Sequence, residues 1–213
     1  MYVFNHRDKF KIMSILLNAN ESQLVLVDYQ ERLMPAIHEG QRVVERAGIL
    51  AKVARLLKVP VFLTEQTPDK LGATDASLKA LVDKTIAKTH FSAVADGLSD
   101  VLRAPAKPVG GNARSMPKHI RKNDEASERN TIVLAGCEAH VCLMQTALEL
   151  IEEEFDVWVV TDACSSRAVV NRDAAFDRLA SNGAELVTTE MVVFEWLKNS
   201  QHPAFRDALQ LVK

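Results

Sequence analysis

The stretch TIVLAGCEAHVCLMQTALELI, residues 131–151, decides the fold. Its first part is an apolar, β-branched run without polar alternation, the pattern of a strand covered on both faces. Its last part places Leu143, Ala147, Leu148 and Ile151 at helical spacing, which predicts an amphipathic helix with those residues turned to a core. The turn between them ends at Cys142. A cysteine in the first turn of a helix faces unpaired N–H groups and the positive end of the dipole, and both favour thiolate over thiol. Without partners, the same cysteine is more often a small core residue.

Outward from this unit the same alternation recurs. Strands are predicted at residues 23–28, 59–65, 85–89, 131–137, 156–162 and 185–188. Helices are predicted at 41–58, 75–82, 94–103, 141–154, 166–181, 189–198 and 203–212. Repeated strand–helix units with fully apolar strands predict a doubly wound three-layer α/β/α sandwich around a mainly parallel sheet of six strands. Residues 104–130 form the one irregular stretch, with Pro105, Pro108, Gly110, Gly111 and Pro117 followed by a charged run. A connection that long serves function or subunit contact about as often as it is a solvated loop.

Residues 13–213 read as a single domain. Residues 1–12 are polar and of mixed charge and precede Met13, so they read as an extension outside the fold, disordered or a translation-start artefact. With 47% hydrophobic and 25% charged residues and a net charge of −2, the chain lacks the basic surface that nucleic acid or an anionic membrane requires. A small-molecule substrate fits better. Three cysteines make no disulfide framework and suit a reducing cytoplasm. No apolar run approaches the about 20 residues of a membrane span, and the N-terminus lacks the order of a secretory signal. The expected location is the cytoplasm. A homo-oligomer, dimer or larger, is expected, with Trp158, Trp196 and Phe205 as contact candidates that core burial explains equally well.

In an open parallel sheet, ligands bind at the carboxyl ends of strands near the switch in strand order. Asp28 ends the first strand, Lys88 and His90 follow the third, and Cys142 follows the fourth. An acid, a cation and a thiol converging there form a set for nucleophilic catalysis. Asp28 would be the proton shuttle, with its pKa raised by partial burial, and Lys88 the electrostatic support for Asp28 and for the thiolate. The backbone N–H groups of Glu138 and Cys142 would face a developing oxyanion. Gln30, Phe91, Ala139 and His140 are pocket candidates, an amide and an aromatic face suiting a small planar carbonyl compound. Each has an ordinary alternative: Lys88 as a surface lysine, Asp28 as a turn residue, Phe91 as core, Gln30 as a helix start. Cys137, Cys142 and Cys164 are too loosely spaced for zinc and no histidine pair completes them, so no metal or cofactor is expected.

VDYQERLMPAI (residues 27–37), KTHFSA (88–93) and GCEAHVC (136–142) together resemble the isochorismatase-like cysteine hydrolases, which include nicotinamidases and N-carbamoylsarcosine amidases. The resemblance extends from Met13 nearly to the end. It is closest to the isochorismatase-domain-containing subgroup, through EQTPDKLG (65–72), VTDACSSR (160–167) and HPAFRDALQLVK (202–213). It implies an Asp–Lys–Cys triad at Asp28, Lys88 and Cys142, and a cis peptide at Cys137–Glu138 that aims the Glu138 N–H into the oxyanion hole. The departures narrow what it implies. TEQTPDKLGATD carries none of the histidines with which nicotinamidases hold a metal. The retained Cys142 sets the chain apart from true isochorismate ether hydrolases. Ala139 and His140 stand where many members have Thr and Asp. The expectation is cleavage of a C–N bond in a small amide, imide or carbamoyl compound through a Cys142 acyl-thioester. The alternative is a catalytically idle oligomeric binding or regulatory protein on the same fold.

Overall fold

The computed structural model describes residues 15–104 and 129–213. The expected extension at 1–12 and most of the 104–130 connection lie outside the described residues. All six expected strands are present: β1 Ser22–Val27, β2 Val61–Gln66, β3 Lys84–Lys88, β4 Thr131–Gly136, β5 Asp156–Val160 and β6 Glu185–Val187. They form one sheet in the order β3-β2-β1-β4-β5-β6, and every neighbouring pair is parallel. The two central strands, β1 and β4, are buried along their apolar runs, as strands covered on both faces must be.

The helices α1 Gly40–Leu56, α2 Pro68–Leu71, α3 Ala76–Lys79, α4 Leu98–Arg103, α5 Met144–Glu152, α6 Val169–Ser181, α7 Thr189–Leu197 and α8 Phe205–Val212 complete the fold. α1 packs with α3, α7 and α8 while α5 packs with α6, so the helices form two layers around the sheet. The fold is the three-layer α/β/α sandwich that the strand pattern predicts. α1 turns Val43, Val44, Ala47, Leu50, Ala51 and Ala54 inward, a stripe at 3–4 residue spacing.

Local chemistry moves several boundaries. The helix expected from residue 94 begins only at Leu98, because Gly97 at φ 91° breaks it and the preceding chain is an irregular loop. The helix expected from 166 begins at Val169, since Ser165 is still extended and bridges Cys137. α2, with Pro68 in its first turn, was not legible as a separate helix. On α5 the fully buried face is Thr146, Ala147 and Leu150, continued by Leu143 in the turn before it, while Leu148 and Ile151 pack only at the margin of the core. Trp158 and Trp196 are core residues, and the Trp196 indole donates to Ser22 Oγ at 3.0 Å, so neither can serve as a subunit contact. Among the described residues, no helix is long and apolar enough to cross a membrane.

Candidate active site

Strand order reverses between β1 and β4, which makes the carboxyl ends of these two strands the switch point of the sheet. Asp28 leaves β1 in a left-handed conformation, φ 54°, which aspartate tolerates better than most residues. Its N–H donates to Thr64 O at 3.2 Å and its carbonyl accepts from Gln30 N at 2.9 Å, so the chain turns sharply and leaves the carboxylate at the strand end. Thr64 Oγ1 of β2 donates to Asp28 Oδ1 at 2.6 Å.

Lys88 ends β3, two strands from Asp28. Neighbouring strands lie about 4.8 Å apart, so only a long side chain bridges that gap. Its Nζ meets Asp28 Oδ2 at 2.8 Å, with both side chains fully enclosed. The ammonium also donates to Gln66 Oε1 at 2.6 Å, Phe91 O at 3.0 Å and His90 O at 3.3 Å. Two isolated buried charges would be costly, and here each offsets the other while hydrogen bonds satisfy the ammonium. Asp28 Oδ2 faces Lys88 as an ion pair and accepts no aligned hydrogen bond, which leaves a lone pair to receive a proton.

Cys142 completes the group. It is 6% exposed and its Sγ lies 3.9 Å from Gln66 Oε1. The expected thiolate is not what this site holds at rest. Burial pushes the Cys142 thiol up to about 12, and the negative Asp28 adds to that, outweighing the opposite effect of Lys88. The residue also lies within a π-helical turn, Ala139–Leu143, in which Val141 N and Leu143 N donate to Glu138 O, and not in the first turn of a regular α-helix. The helix-terminus argument therefore fails locally, and burial and the Asp28 charge set the state of the thiol.

The peptide Cys137–Glu138 is cis, as the resemblance implies. The Glu138 carboxylate is tied to the start of the α6 region, accepting from Arg167 N and Nε at 3.0 Å each. Ala139 is buried and its N–H donates to Ser165 O at 2.8 Å. His140 is half-buried beside α6, its Nδ1 2.9 Å from Ser166 Oγ and its Nε2 3.4 Å from Asn171 Nδ2.

One expected pocket residue, Gln30, takes another place. Gln30 is fully buried behind Gln66: its Nε2 donates to Gln66 O at 3.1 Å and Gly72 O at 2.7 Å, and its Oε1 accepts from Gln66 N at 2.8 Å. All its polar atoms are engaged by backbone, so it braces the site and does not face a ligand. Phe91 has an exposed ring, and it is its carbonyl that meets Lys88.

Thr64 and Gln66 are the site residues that sequence reasoning missed. Gln66 Nε2 donates to Thr89 O at 2.8 Å and Thr67 Oγ1 at 3.3 Å, which orients Oε1 toward Lys88 and Cys142. The rule that selected Asp28 applies equally to the end of β2 and would have found both. Glu65, between them, points elsewhere. Burial works against its charge, but hydrogen bonds from Thr74 N and Oγ1, each 2.9 Å, and the nearby Lys79 hold its carboxyl below the usual range.

Cys137 is fully buried, its thiol pushed up to about 12 by burial and by the negative charge of Asp28 and Glu138. Burial likewise raises Cys164 well above its ordinary value, with Cys137 and Asp162 adding to it. Both behave as core thiols. Among the described residues no cluster of three His, Cys, Asp or Glu side chains is placed to hold a metal ion.

The parallel sheet with the order β3-β2-β1-β4-β5-β6 thus gathers an Asp, a Lys and a Cys at its switch point, a set suited to nucleophilic chemistry. The Isochorismatase domain family model matches residues 22–109 and 116–191, and the chain belongs to that family. Among its relatives, mouse isochorismatase domain-containing protein 2A is 34% identical, covering 90% of this chain and 82% of the relative. Bovine isochorismatase domain-containing protein 2 is 35% identical over 90% of this chain and 83% of its own length. Of solved structures, the MAR1 ribonuclease of Caenorhabditis elegans superposes with a TM-score of 0.78 at 30% identity, covering 92% of each chain. The YcaC gene product of Escherichia coli, described as an octameric hydrolase of unknown specificity, shares the fold with a TM-score of 0.73 at 24% identity, covering 92% of this chain and 96% of its own.

Proposed function

We propose that this chain is a metal-independent cysteine hydrolase that cleaves a C–N bond in a small amide, imide or carbamoyl compound. One observation carries the reading: a fully buried Asp28–Lys88 ion pair at 2.8 Å, whose carboxylate acts directly on the thiol of Cys142. An ion pair this enclosed next to a thiol is a poor stability device and a good proton-transfer device.

In this mechanism Asp28 Oδ2 takes the Cys142 proton as Sγ attacks the substrate carbonyl, with Lys88 stabilising the thiolate as it forms. The tetrahedral oxyanion is received by the N–H groups of Glu138 and Cys142. Asp28 hands its proton to the departing nitrogen, the C–N bond breaks, and a Cys142 acyl-thioester remains. Asp28 then deprotonates a water molecule that attacks the thioester, and the acid leaves as Sγ takes the proton back. Thr64 holds Asp28 Oδ1, so that Oδ2 alone shuttles the proton. Lys88 remains charged throughout.

A screen of small amides, imides and carbamoyl compounds against wild type and Cys142→Ala tests the reading. Hydrolysis abolished in the variant, with an acyl adduct on Cys142 trapped by mass spectrometry, is the expected result; equal turnover by the variant overturns it. A second reading, a binding or regulatory protein without turnover, draws on the near-complete enclosure of all three groups. It predicts saturable ligand binding with no adduct and no product. RNA belongs in the same screen because one relative is described as a ribonuclease. With a net charge of −2, no cleavage of RNA is expected from this chain.

A further inference from the structure

α7 carries apolar side chains on its outer side as well as on the side that faces the core. Val192, Val193, Trp196 and Leu197 are buried, yet Met191 and Phe194 on the outer side are 45% and 40% exposed. Large apolar side chains left together on an outer face form a patch that a partner can cover. Beside it runs the segment that enters β1, where Ile15 is 88% and Leu16 59% exposed. Between the two lies a groove of about 800 Å³, lined by Leu16, Leu17, Asn18, Glu190, Met191, Phe194, Glu195 and Lys198. It shares no residue with the group formed by Asp28, Lys88 and Cys142.

The charges along this groove are ordered. Glu190 lies in the first turn of α7 and Lys198 at its end, and each is four positions from Phe194. At 1.5 Å per residue they stand about 6 Å to either side of Phe194 along the axis. A two-fold axis at Phe194, with two copies of α7 antiparallel, therefore brings Glu190 of each level with Lys198 of the other. The remaining acid, Glu195, is already engaged by its own Leu17 N–H at 2.8 Å. An apolar centre with charges of opposite sign at equal distances is self-complementary, which is what an isologous interface requires.

We propose that the α7 groove is a homodimer interface, occupied by a second copy of this chain around a two-fold axis at Phe194. The apolar seam is Met191 and Phe194, and Glu190–Lys198 pairs close both ends and fix the antiparallel direction. This replaces the tryptophans as the contact surface.

Analytical ultracentrifugation of the full chain tests the proposal with Glu190→Lys, Lys198→Glu and the double reversal. Each single reversal places like charges together at both ends of the seam and is expected to raise the dimer dissociation constant by about ten-fold or more. The double reversal is expected to restore it. Phe194→Cys supplies a second measurement, because a cysteine on the axis faces its own copy and should form an intermolecular disulfide under mild oxidation. The three native thiols are buried and do not compete. A wild type that stays monomeric at micromolar concentration, or one assembly state shared by wild type and all charge variants with no Phe194→Cys cross-link, overturns the proposal.

Discussion

At the scale of single residues, Cys142 is governed by its neighbours more than by its place at a helix. A thiol raised to about 12 by burial and by Asp28 is protonated at neutral pH. Alkylation of Cys142 by a small electrophile is therefore expected to be slow at pH 7 and to rise steadily through pH 10. Asp28→Asn removes a charge that opposes the thiolate and leaves Lys88 to stabilise it. The variant should alkylate faster than wild type at pH 8 while its hydrolysis falls, a split that rate measurements with and without substrate will read. Slower alkylation in the variant would show that Asp28 acts on the free thiol as its proton acceptor more than as an opposing charge. The ion pair makes a separate prediction. Lys88→Met leaves Asp28 without its counter-charge and is expected to cost about 3–5 kcal/mol in denaturant unfolding. Lys88→Met combined with Asp28→Asn should cost clearly less, because no uncompensated charge remains.

At the scale of elements, the site depends on how closely β1 and β4 approach at the switch point. Val27 is registered with Gly136. A Cβ at Gly136 would lie 2.4 Å from Val27 O and 2.5 Å from Val27 Cβ, a contact that backbone cannot yield cheaply. Gly136→Ala is expected to destabilise the fold by about 1–3 kcal/mol, as overpacking does. By pushing β1 from β4 it also separates Asp28 from Cys142, so turnover should fall more than the loss of stability accounts for. Thermal unfolding set beside kcat for the same sample measures both; unchanged kcat would show that the strand separation does not govern the reaction. The strands were readable in sequence because β-branched apolar runs report two-sided burial. The short helix α2 was not, because Pro68 sets it in place of any long periodicity, while α3 lies within the helix expected at 75–82 but is shorter, opened by the Asp75 cap, whose Oδ1 accepts from Ser77 N at 2.9 Å.

At the scale of the molecule, buried acids and thiols bound the pH range of stability. Cys137 and Cys142 are raised to about 12, and Tyr29 and Cys164 lie well above their ordinary values of 10.0 and 9.0. Their folded pKa values exceed the unfolded ones, so their contribution is complete below pH 9 and is lost as pH rises toward 12. Stability by chemical denaturation should decline from pH 9 upward, and Cys164→Ala should make that decline shallower. Glu65 has the opposite sign. Its lowered pKa means that its contribution is present above about 4.5 and is lost as pH falls below that value, so Glu65→Gln should flatten the acid limb. A Glu65→Gln profile parallel to wild type below pH 4.5 would rule out this linkage.

The sequence by itself determined the strand–helix alternation, the parallel sheet, and the positions of Asp28, Lys88 and Cys142, because periodicity and strand-end placement are local properties of the chain. Tertiary structure alone decided what those residues are like. That Cys142 rests as a thiol, that Gln30 faces backbone, and that Thr64 and Gln66 align the group all depend on atoms brought together from β1, β2, β3 and the turn after β4. Burial and neighbouring charge are sums over contacts that no sequence window contains.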